Sequence, residues 1–353
     1  MISVKDVARA AGVAMALLLV AGAAKADTHA PWPSDWNNWN DPALWVTVGN
    51  RGNGPDNTGY GAVAYTFNMG KFEVTAGQYT EFLNAVAKTD AYGLYDTNMW
   101  SDPFGFACKI QRNGSEGGYS YSVDAEWMNR PVNYVSWGDA ARFANWLTNG
   151  QPTGAQNAST TEDGSYYLNG AISNAALLAV VRKSPEQGGR YYIPSEDEWY
   201  KAAYHKNDGD TGNYFNYPTG SDSVPSNDLT NPDGGNNANY HGNDGSYTIG
   251  KPYYRTPVGE FELSGSPYGT FDQGGNVLEW NEAILAGGYR GLRGGSFGSH
   301  SPVLHVTGRF DVYFPTIGTY TVGFRVSEVP EPASALLLGI GGAVVAMKRR
   351  RAC

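Results

Sequence analysis

The residues best suited to metal or redox chemistry are five histidines and two cysteines. Of these, His300 and His305 are five positions apart, and no two histidines have the His-x-x-x-His spacing that puts both imidazoles on one helix face. Iron held by this pair would also require a carboxylate ligand. The spacing favours surface or hydrogen-bonding histidines. A metal site that includes Ser299, His300 and His305 remains the alternative.

The two cysteines are Cys108 and Cys353, and the second lies in the terminal tail considered below. If that tail is removed, one thiol remains and no intramolecular disulfide can form. Such an exported domain has to rely on a buried apolar core for its stability. A single thiol also falls short of the pair of soft thiolate ligands that Cu(I) prefers.

The N-terminal residues have the three parts of a secretory signal peptide. Lys5 and Arg9 are basic, residues 10–24 are apolar, and Ala24-Lys25-Ala26 has the small-x-small pattern of a cleavage site. We therefore predict that residues 1–26 are a signal peptide and that the protein is exported.

The C-terminal residues 329–353 also have three parts. Val329-Pro-Glu-Pro332 is followed by uncharged residues 333–347 and by four basic residues, 348–351. The uncharged stretch is shorter than the roughly 20 residues that a membrane-spanning helix needs, and the basic residues favour the cytoplasmic side. A transient membrane anchor fits this pattern, and an ordinary short anchor is the alternative.

This tail resembles the PEP-CTERM sorting signal of Gram-negative bacteria. The resemblance implies handling by an exosortase-type sorting machinery, transient anchoring in the inner membrane and cleavage near the Pro-Glu-Pro. It also implies a final location in the cell envelope or outside the cell.

The chain is acidic, with a formal net charge of −9. Removal of the signal peptide and the tail takes away more cations than anions, so the processed chain is more negative still. An acidic surface argues against binding to nucleic acid or to anionic lipid, since both need a cationic face. It is compatible with divalent cations.

Three segments begin with a capping box, in which a Ser or Thr is followed three positions later by an acidic or amide residue: Thr75 with Gln78, Ser136 with Asp139, and Ser195 with Glu198. Apolar residues then recur with helical spacing, so each segment predicts a helix with one face on a common core. Before the first helix, Val63, Tyr65 and Phe67 alternate with other residues, and together with residues 71–74 they predict a pair of strands.

Residues 207–246 are crowded with Asn, Asp and Gly, which predicts long irregular backbone. No repeat of fixed period and no Pro-rich linker divides the chain. We therefore expect one loop-rich α+β domain over residues 60–328, preceded by an extension at residues 27–59.

Six motifs in order resemble the formylglycine-generating enzyme, or sulfatase-modifying factor, family. They are Lys71-Phe-Glu-Val-Thr-Ala-Gly-Gln-Tyr79, Arg130-Pro-Val-Asn-Tyr-Val-Ser-Trp137, Ile193-Pro-Ser-Glu-Asp-Glu-Trp199, Gly274-Gly-Asn-Val-Leu-Glu-Trp280, Arg293-Gly-Gly-Ser-Phe297 and Gly323-Phe-Arg325. The resemblance implies a variant C-type-lectin-like fold with little regular structure.

The enzymes of this family that oxidise cysteine to formylglycine hold Cu(I) between two cysteines. The positions that match those cysteines are Ser299 and Leu304 here. A neutral hydroxyl and an alkyl group do not replace two thiolates. We therefore expect no formylglycine-generating activity, no catalytic residue at these positions and no copper. A second branch of the family uses iron, with histidines from an additional helical domain for which this chain has no room.

The resemblance also implies a structural calcium site. Its ligands would be the Asp272 and Glu279 side chains and the Gly275 and Val277 carbonyls, a set of hard oxygen donors that Ca²⁺ prefers. An acidic loop without an ion is the alternative.

Related domains use the segment after Arg-Gly-Gly-Ser as a ligand face, so the resemblance implies a ligand pocket at or beside residues 297–320. Its candidate residues are Arg293, Ser299, His300, His305 and Arg309, although a buried arginine often braces loop carbonyls instead. The surplus of tyrosines could stack on sugar rings, although we expect more of them to lie in the core. The candidates are Tyr119, Tyr121, Tyr191, Tyr192, Tyr253, Tyr254, Tyr313 and Tyr320. The sequence thus favours an exported, non-catalytic module that binds an envelope polysaccharide, a matrix polymer or a protein. A metal-dependent oxidoreductase with a non-cysteine site is the alternative.

Overall fold

The computed structural model describes residues 35–310 and 312–330. The predicted signal peptide, Cys353 and the apolar and basic parts of the sorting tail lie outside the described residues. No helix within these two ranges is long and apolar enough to cross a membrane.

The helices are short and are spread along the described chain. They are α1 Ala76–Val86, α2 Trp137–Thr148, α3 Asn174–Leu178, α4 Glu196–Tyr204 and α5 Ser301–Leu304, with single 3-10 turns at Pro42–Leu44, Thr97–Met99, Ala125–Trp127 and Pro185–Gln187.

The strands are also short. They are β1 Trp45–Val48, β2 Phe67–Gly70, β3 Ile110–Asn113, β4 Ser120–Val123, β5 Tyr191–Tyr192, β6 Leu278–Leu285, β7 Tyr289–Arg293, β8 Val322–Gly323 and β9 Ser327–Glu328.

These strands form three small sheets. One sheet has the order β1-β2-β9-β5, another pairs β3 with β4, and the third has the order β7-β6-β8. Strands β6 and β8 are parallel, whereas the other pairs are antiparallel. The β6–β7 hairpin carries Glu279 opposite Arg293, and it therefore positions two of the sequence motifs next to each other.

The three predicted helices are confirmed together with their capping boxes. The Thr75, Ser136 and Ser195 side chains each accept a hydrogen bond from the backbone N–H three residues later. In each case the residue at that third position bonds back to the capping backbone N–H, so two donors of the first turn are satisfied.

The predicted strand pair before α1 is wrong in its position. Strand β2 begins only at Phe67, and it pairs with β1 and β9. Residues 63–66 and 71–74 lie in no strand, and the next pairing along the chain is an isolated bridge at Thr75. Tyr65 does not continue the alternation into the core, because its hydroxyl donates to Glu198 Oε1 at 2.6 Å. The aromatic side chain therefore joins a polar network that sequence periodicity does not reveal.

The main core lies between α1, α2 and the first sheet. Phe82 of α1 and Phe143 of α2 meet edge to face with centroids 5.2 Å apart, and Phe143 packs in the same way on Phe324 at 5.3 Å. Such pairs add roughly 0.5–1.5 kcal/mol each beyond the burial of their area. The core thus packs helix α1, which begins in the motif at residues 71–79, against helix α2 and the last motif, at residues 323–325.

The irregular backbone predicted for residues 207–246 is confirmed, since this segment forms isolated bridges and turns but no helix or strand. The described part of residues 27–59, predicted as an extension, contributes β1 to the first sheet. The α+β architecture expected from the sequence is confirmed.

Candidate calcium centre and ligand face

The predicted calcium ligands lie around a buried ion pair, at the start of β6. Arg325 binds Glu279 in a bidentate manner, with Nε 2.6 Å from Oε2 and Nη2 2.7 Å from Oε1. The indole N–H of Trp199 also donates to Glu279 Oε2 at 2.7 Å. Both partners of the pair are at most 1% exposed, so three charge-assisted or polar contacts hold Glu279 in place.

Asp272 and Glu73 add two further carboxyl groups to this region. The Asp272 carboxylate accepts the Gly259 N–H at 2.5 Å, and Glu73 accepts from the Asn276 side chain at 3.2 Å. Burial raises the pKa of Asp272 to about 7, and the negative charge of Glu279 adds to this effect. Burial, together with Asp272 and Glu279, also raises the pKa of Glu73 well above its ordinary value.

We call Glu73, Asp272, Glu279 and Arg325 the acidic centre. One arginine faces three carboxyl groups, so protonation of Glu73 and Asp272, whose pKa values are raised, or a bound cation would offset the excess negative charge. The residues fit Ca²⁺ in charge and in ligand hardness. Arg325, which sequence reasoning did not include, competes for Glu279. Among the described residues no group of three or more His, Cys, Asp or Glu side chains is arranged to hold a metal ion, so backbone carbonyls would have to complete the coordination.

The loop after β7 begins with two glycines that other residues could not replace without strain. Gly294 has a φ of +92°, and a Cβ atom there would lie 2.5 Å from the carbonyl oxygen of Gln273. At this close approach the chain leaves the β6–β7 hairpin and enters residues 296–304. This segment contains Ser299 and Leu304, the positions that match the two family cysteines.

Ser299 and Leu304 both have structural contacts. Ser299 Oγ accepts the backbone N–H of Ser296 at 3.0 Å, and the Ser299 carbonyl accepts the N–H of His241 at 2.8 Å. Leu304 is fully buried in an apolar cluster with Tyr217 and Tyr240. Ser299 therefore closes a turn, and the Leu304 side chain belongs to a core.

The structure does not bring His300 and His305 together. The two residues flank the four-residue helix α5 at its N-cap and C-cap. His305 packs edge to face on Tyr217 at 5.3 Å and contacts the Thr307 hydroxyl at 2.8 Å. His300 instead lies beside His241, with ring centroids 5.0 Å apart. The histidine pair in this region is thus His241 with His300, which are too far apart in sequence for spacing to indicate it.

Arg293 and Arg309 converge on one carboxylate. Arg293 Nε donates to Glu196 Oε1 at 2.8 Å, and Arg309 Nη2 donates to Glu196 Oε2 at 2.8 Å. Arg309 also donates to the Tyr60 hydroxyl at 2.8 Å. The two arginines therefore brace helix α4 against the closing loops, and they lie with Glu196 rather than with the histidine pair.

Six aromatic side chains from four separate loops form a continuous group, which we call the aromatic face. Its members are Phe104, Phe106, Tyr247, Tyr254, Phe297 and Tyr320, all of which lie outside the three apolar clusters of the described residues.

Phe106 is at the centre of the aromatic face. Its ring stacks on Tyr320 and meets Tyr254 edge to face, with centroids 4.7 Å apart in both cases. Tyr254 continues to Tyr247 at 5.1 Å and to Phe297 at 5.5 Å. Three of the six rings are open to solvent: Phe104 is 67% exposed, Tyr320 41% and Tyr247 40%.

The remaining cysteine, Cys108, is fully buried next to this face. Its sulfur lies 3.7 Å from the Met99 carbonyl oxygen, and burial raises the pKa of its thiol. A protonated, inaccessible thiol is a weak nucleophile and a poor metal ligand.

Comparison with models of known families identifies the family to which this domain belongs. The chain matches the model of the sulfatase-modifying factor enzyme 1-like domain over residues 40–329 and the PEP-CTERM protein-sorting motif over residues 328–351. The chain therefore belongs to the sulfatase-modifying factor family, and it carries a PEP-CTERM signal. The family and fold expected from the sequence are confirmed, and the sorting motif implies export and handling by an exosortase-type sorting machinery.

Three solved structures are similar to the chain at low identity. Variable protein 1 of Treponema denticola has 20% identity and a TM-score of 0.45, over 81% of this chain and 95% of that one. CarF has 20% identity and a TM-score of 0.45, over 81% and 98%. PvdO from Pseudomonas aeruginosa has 19% identity and a TM-score of 0.42, over 76% and 82%. No curated protein sequence matches the chain.

Proposed function

We propose that this protein is an exported, non-catalytic member of its family that binds a polymer or protein ligand at the cell exterior. The observation that carries the proposal is the state of the two positions that match the copper-binding cysteines. Ser299 closes a turn and Leu304 is buried in an apolar cluster, so no pair of sulfur donors meets there.

The sorting motif supports this proposal, because it implies delivery to the cell envelope or release from it after transient anchoring. A domain with solvent-exposed aromatic rings suits ligand display better than enclosed chemistry. We further propose that Ca²⁺ occupies the acidic centre as a structural ion. There Asp272, Glu279 and the carbonyls of Gly275 and Val277 would hold it, and it would neutralise the excess of buried negative charge.

Two measurements test the absence of catalysis. The purified protein is incubated with a cysteine-containing sulfatase-type peptide and oxygen, with and without added copper, and the aldehyde product is sought by mass spectrometry. Elemental analysis of the protein as isolated is expected to show calcium without stoichiometric copper or iron. Aldehyde formation, or a full equivalent of copper or iron, would show that the oxidoreductase alternative is correct.

The binding role is tested with envelope and extracellular material from the producing bacterium. We expect the purified protein to co-sediment with this material in a saturable manner. Failure to bind any envelope or extracellular fraction would contradict the proposed function.

A further inference from the structure

The aromatic face combines two buried rings, Tyr254 and Phe297, with three rings that are open to solvent, Phe104, Tyr247 and Tyr320. Its rings come from residues 104–106, 247–254, 297 and 320, and they contact one another outside the main core. Phe104 is 67% exposed, which is unusual for a large apolar side chain. A contiguous exposed apolar patch of this kind marks an interaction surface.

Polar groups without partners lie on the aromatic face and at its edge. Neither the Tyr247 nor the Tyr320 hydroxyl makes a hydrogen bond to another described residue, and the buried Nδ1 atom of His241 also lacks a partner. His241 packs edge to face on Tyr247 at 4.6 Å, so its ring continues the surface toward the exposed His300. The surface therefore offers ring faces for stacking, with the Tyr247 and Tyr320 hydroxyls beside them for hydrogen bonding.

The charged residues around the aromatic face limit the class of ligand that it can bind. The chain has a net charge of −9, and the loop that carries Phe104 and Phe106 is fixed by the Asp102 carboxylate, which accepts both of their backbone N–H groups. Arg255 lies beneath Phe297, where it is fully buried. The exposed Lys251 lies beside Gly105, but a single lysine is not the cluster of cations that a polyanion needs. Nucleic acids and acidic polysaccharides are therefore disfavoured.

A neutral polysaccharide satisfies all of these conditions. Each pyranose ring has an apolar C–H face that stacks on a flat aromatic side chain, and it has hydroxyl groups around its edge that need hydrogen-bonding partners. The open rings of Phe104, Tyr247 and Tyr320 suit a polymer that crosses the surface, whereas a small molecule would favour an enclosed pocket. We propose that the aromatic face binds a neutral polysaccharide by stacking. This inference rests on the proposed function and names the ligand class of that module.

Affinity electrophoresis in native gels tests the inference. The probes are soluble β-glucan, galactomannan and dextran as neutral polymers, and alginate as an anionic polymer. We expect at least one neutral polymer to retard the wild-type protein, and alginate to have no effect. The double variant F104A/Y320A is expected to lose affinity by tenfold or more, because it removes the two most exposed rings.

Two further variants serve as controls. Tyr167→Ala removes a tyrosine that is 59% exposed but has no ring contact with the aromatic face, and it is expected to bind as the wild type does. Tyr247→Phe keeps the ring and removes only the hydroxyl, so it should bind more tightly than Tyr247→Ala. Near-UV circular dichroism checks that each variant is folded.

The outcomes separate this inference from the proposed function. If F104A/Y320A co-sediments with envelope material as well as the wild type does, the aromatic face is not the ligand site, although the binding role stands. If the variant loses a protein partner that protease treatment destroys, or if no neutral polymer retards the wild type, the assignment of a neutral polysaccharide is overturned, whether or not alginate binds. If the wild type binds no envelope fraction at all, both proposals fail.

Discussion

The acidic centre and the aromatic face are neighbours, but they are built in opposite ways. Asn276 connects them, since its carbonyl accepts the Phe297 N–H at 2.9 Å and its side chain donates to Glu73. In the acidic centre, Glu73, Glu279 and Arg325 are closed to solvent and Asp272 is half-buried, and these charges lie in or beside the family motifs. The aromatic face has three rings open to solvent and, apart from Phe297, uses residues outside those motifs. The comparison indicates that the motifs maintain the scaffold, whereas the proposed ligand recognition depends on loops outside them.

The largest effect is expected from breaking the ion pair of the acidic centre. Arg325→Met leaves Glu279 buried without its partner, so the free energy of unfolding should fall by about 3–5 kcal/mol. Chemical denaturation measures this change. The matched control is Arg190→Met, since Arg190 pairs with Glu328 at 2.9 Å but is 51% exposed, and its loss should cost at most about 1 kcal/mol. Equal effects of the two substitutions would contradict the closed character of the centre.

A second prediction concerns the position that matches a family cysteine. Leu304→Ala should lower the free energy of unfolding by about 2–5 kcal/mol, because Leu304 is fully buried in an apolar cluster. Val312→Ala is the control, since Val312 is 55% exposed, and it should change the free energy by about 0.5 kcal/mol or less. If Leu304→Ala were as mild as the control, the site would be open enough for a ligand, and the structural role assigned to Leu304 would be wrong.

The third prediction is that calcium stabilises the protein more at pH 8 than at pH 5. The pKa of Asp272 is raised to about 7 in the folded state, so without metal its contribution to stability is complete below its ordinary pKa and is lost as the pH rises through about 7. Calcium requires the deprotonated carboxylate, so its apparent affinity should fall about tenfold per pH unit below 7. Thermal unfolding with calcium or with chelator should reveal this difference.

Across two pH units this loss of affinity corresponds to as much as about 2.7 kcal/mol of calcium-dependent stability. Asp272→Asn should abolish the pH dependence, since the amide does not titrate. A calcium effect that is the same at both pH values, or that survives unchanged in the Asn variant, would place the ion elsewhere.

The smallest effect on stability is expected on the aromatic face. Phe104→Ala removes a ring that is 67% exposed and should change the free energy of unfolding by about 0.5 kcal/mol or less. Urea denaturation measures this value alongside the binding assay. A strong destabilisation would mean that the ring is part of the packing, and it would weaken the contrast between the two regions.

The sequence predicts the helices and the family well because these depend on local patterns. Thr75 with Gln78 and Ser136 with Asp139 are three positions apart, and the structure has both capping boxes. The strand before α1 was misplaced because a tertiary contact governs Tyr65, whose hydroxyl reaches Glu198 across 133 positions of sequence.

The candidate site is harder to predict from the sequence, because it also depends on contacts between residues that are distant in sequence. His241 and His300 are 59 positions apart, and Phe106 reaches Tyr254 and Tyr320 from distant loops. Spacing rules describe one helix or strand at a time, so they do not anticipate contacts between irregular loops. Arg325 was recognised as part of a closing motif, but its pairing with Glu279 required the three-dimensional structure.

The position of β9 limits how the sorting tail can be processed. This two-residue strand lies between β2 and β5, and Glu328 receives a hydrogen bond from Asn68 and pairs with Arg190. The sorting motif begins at residue 328, within this strand. A protease that cut before Glu328 would remove an interior strand of the first sheet, so maturation can leave the domain intact only if cleavage falls on the C-terminal side of that residue.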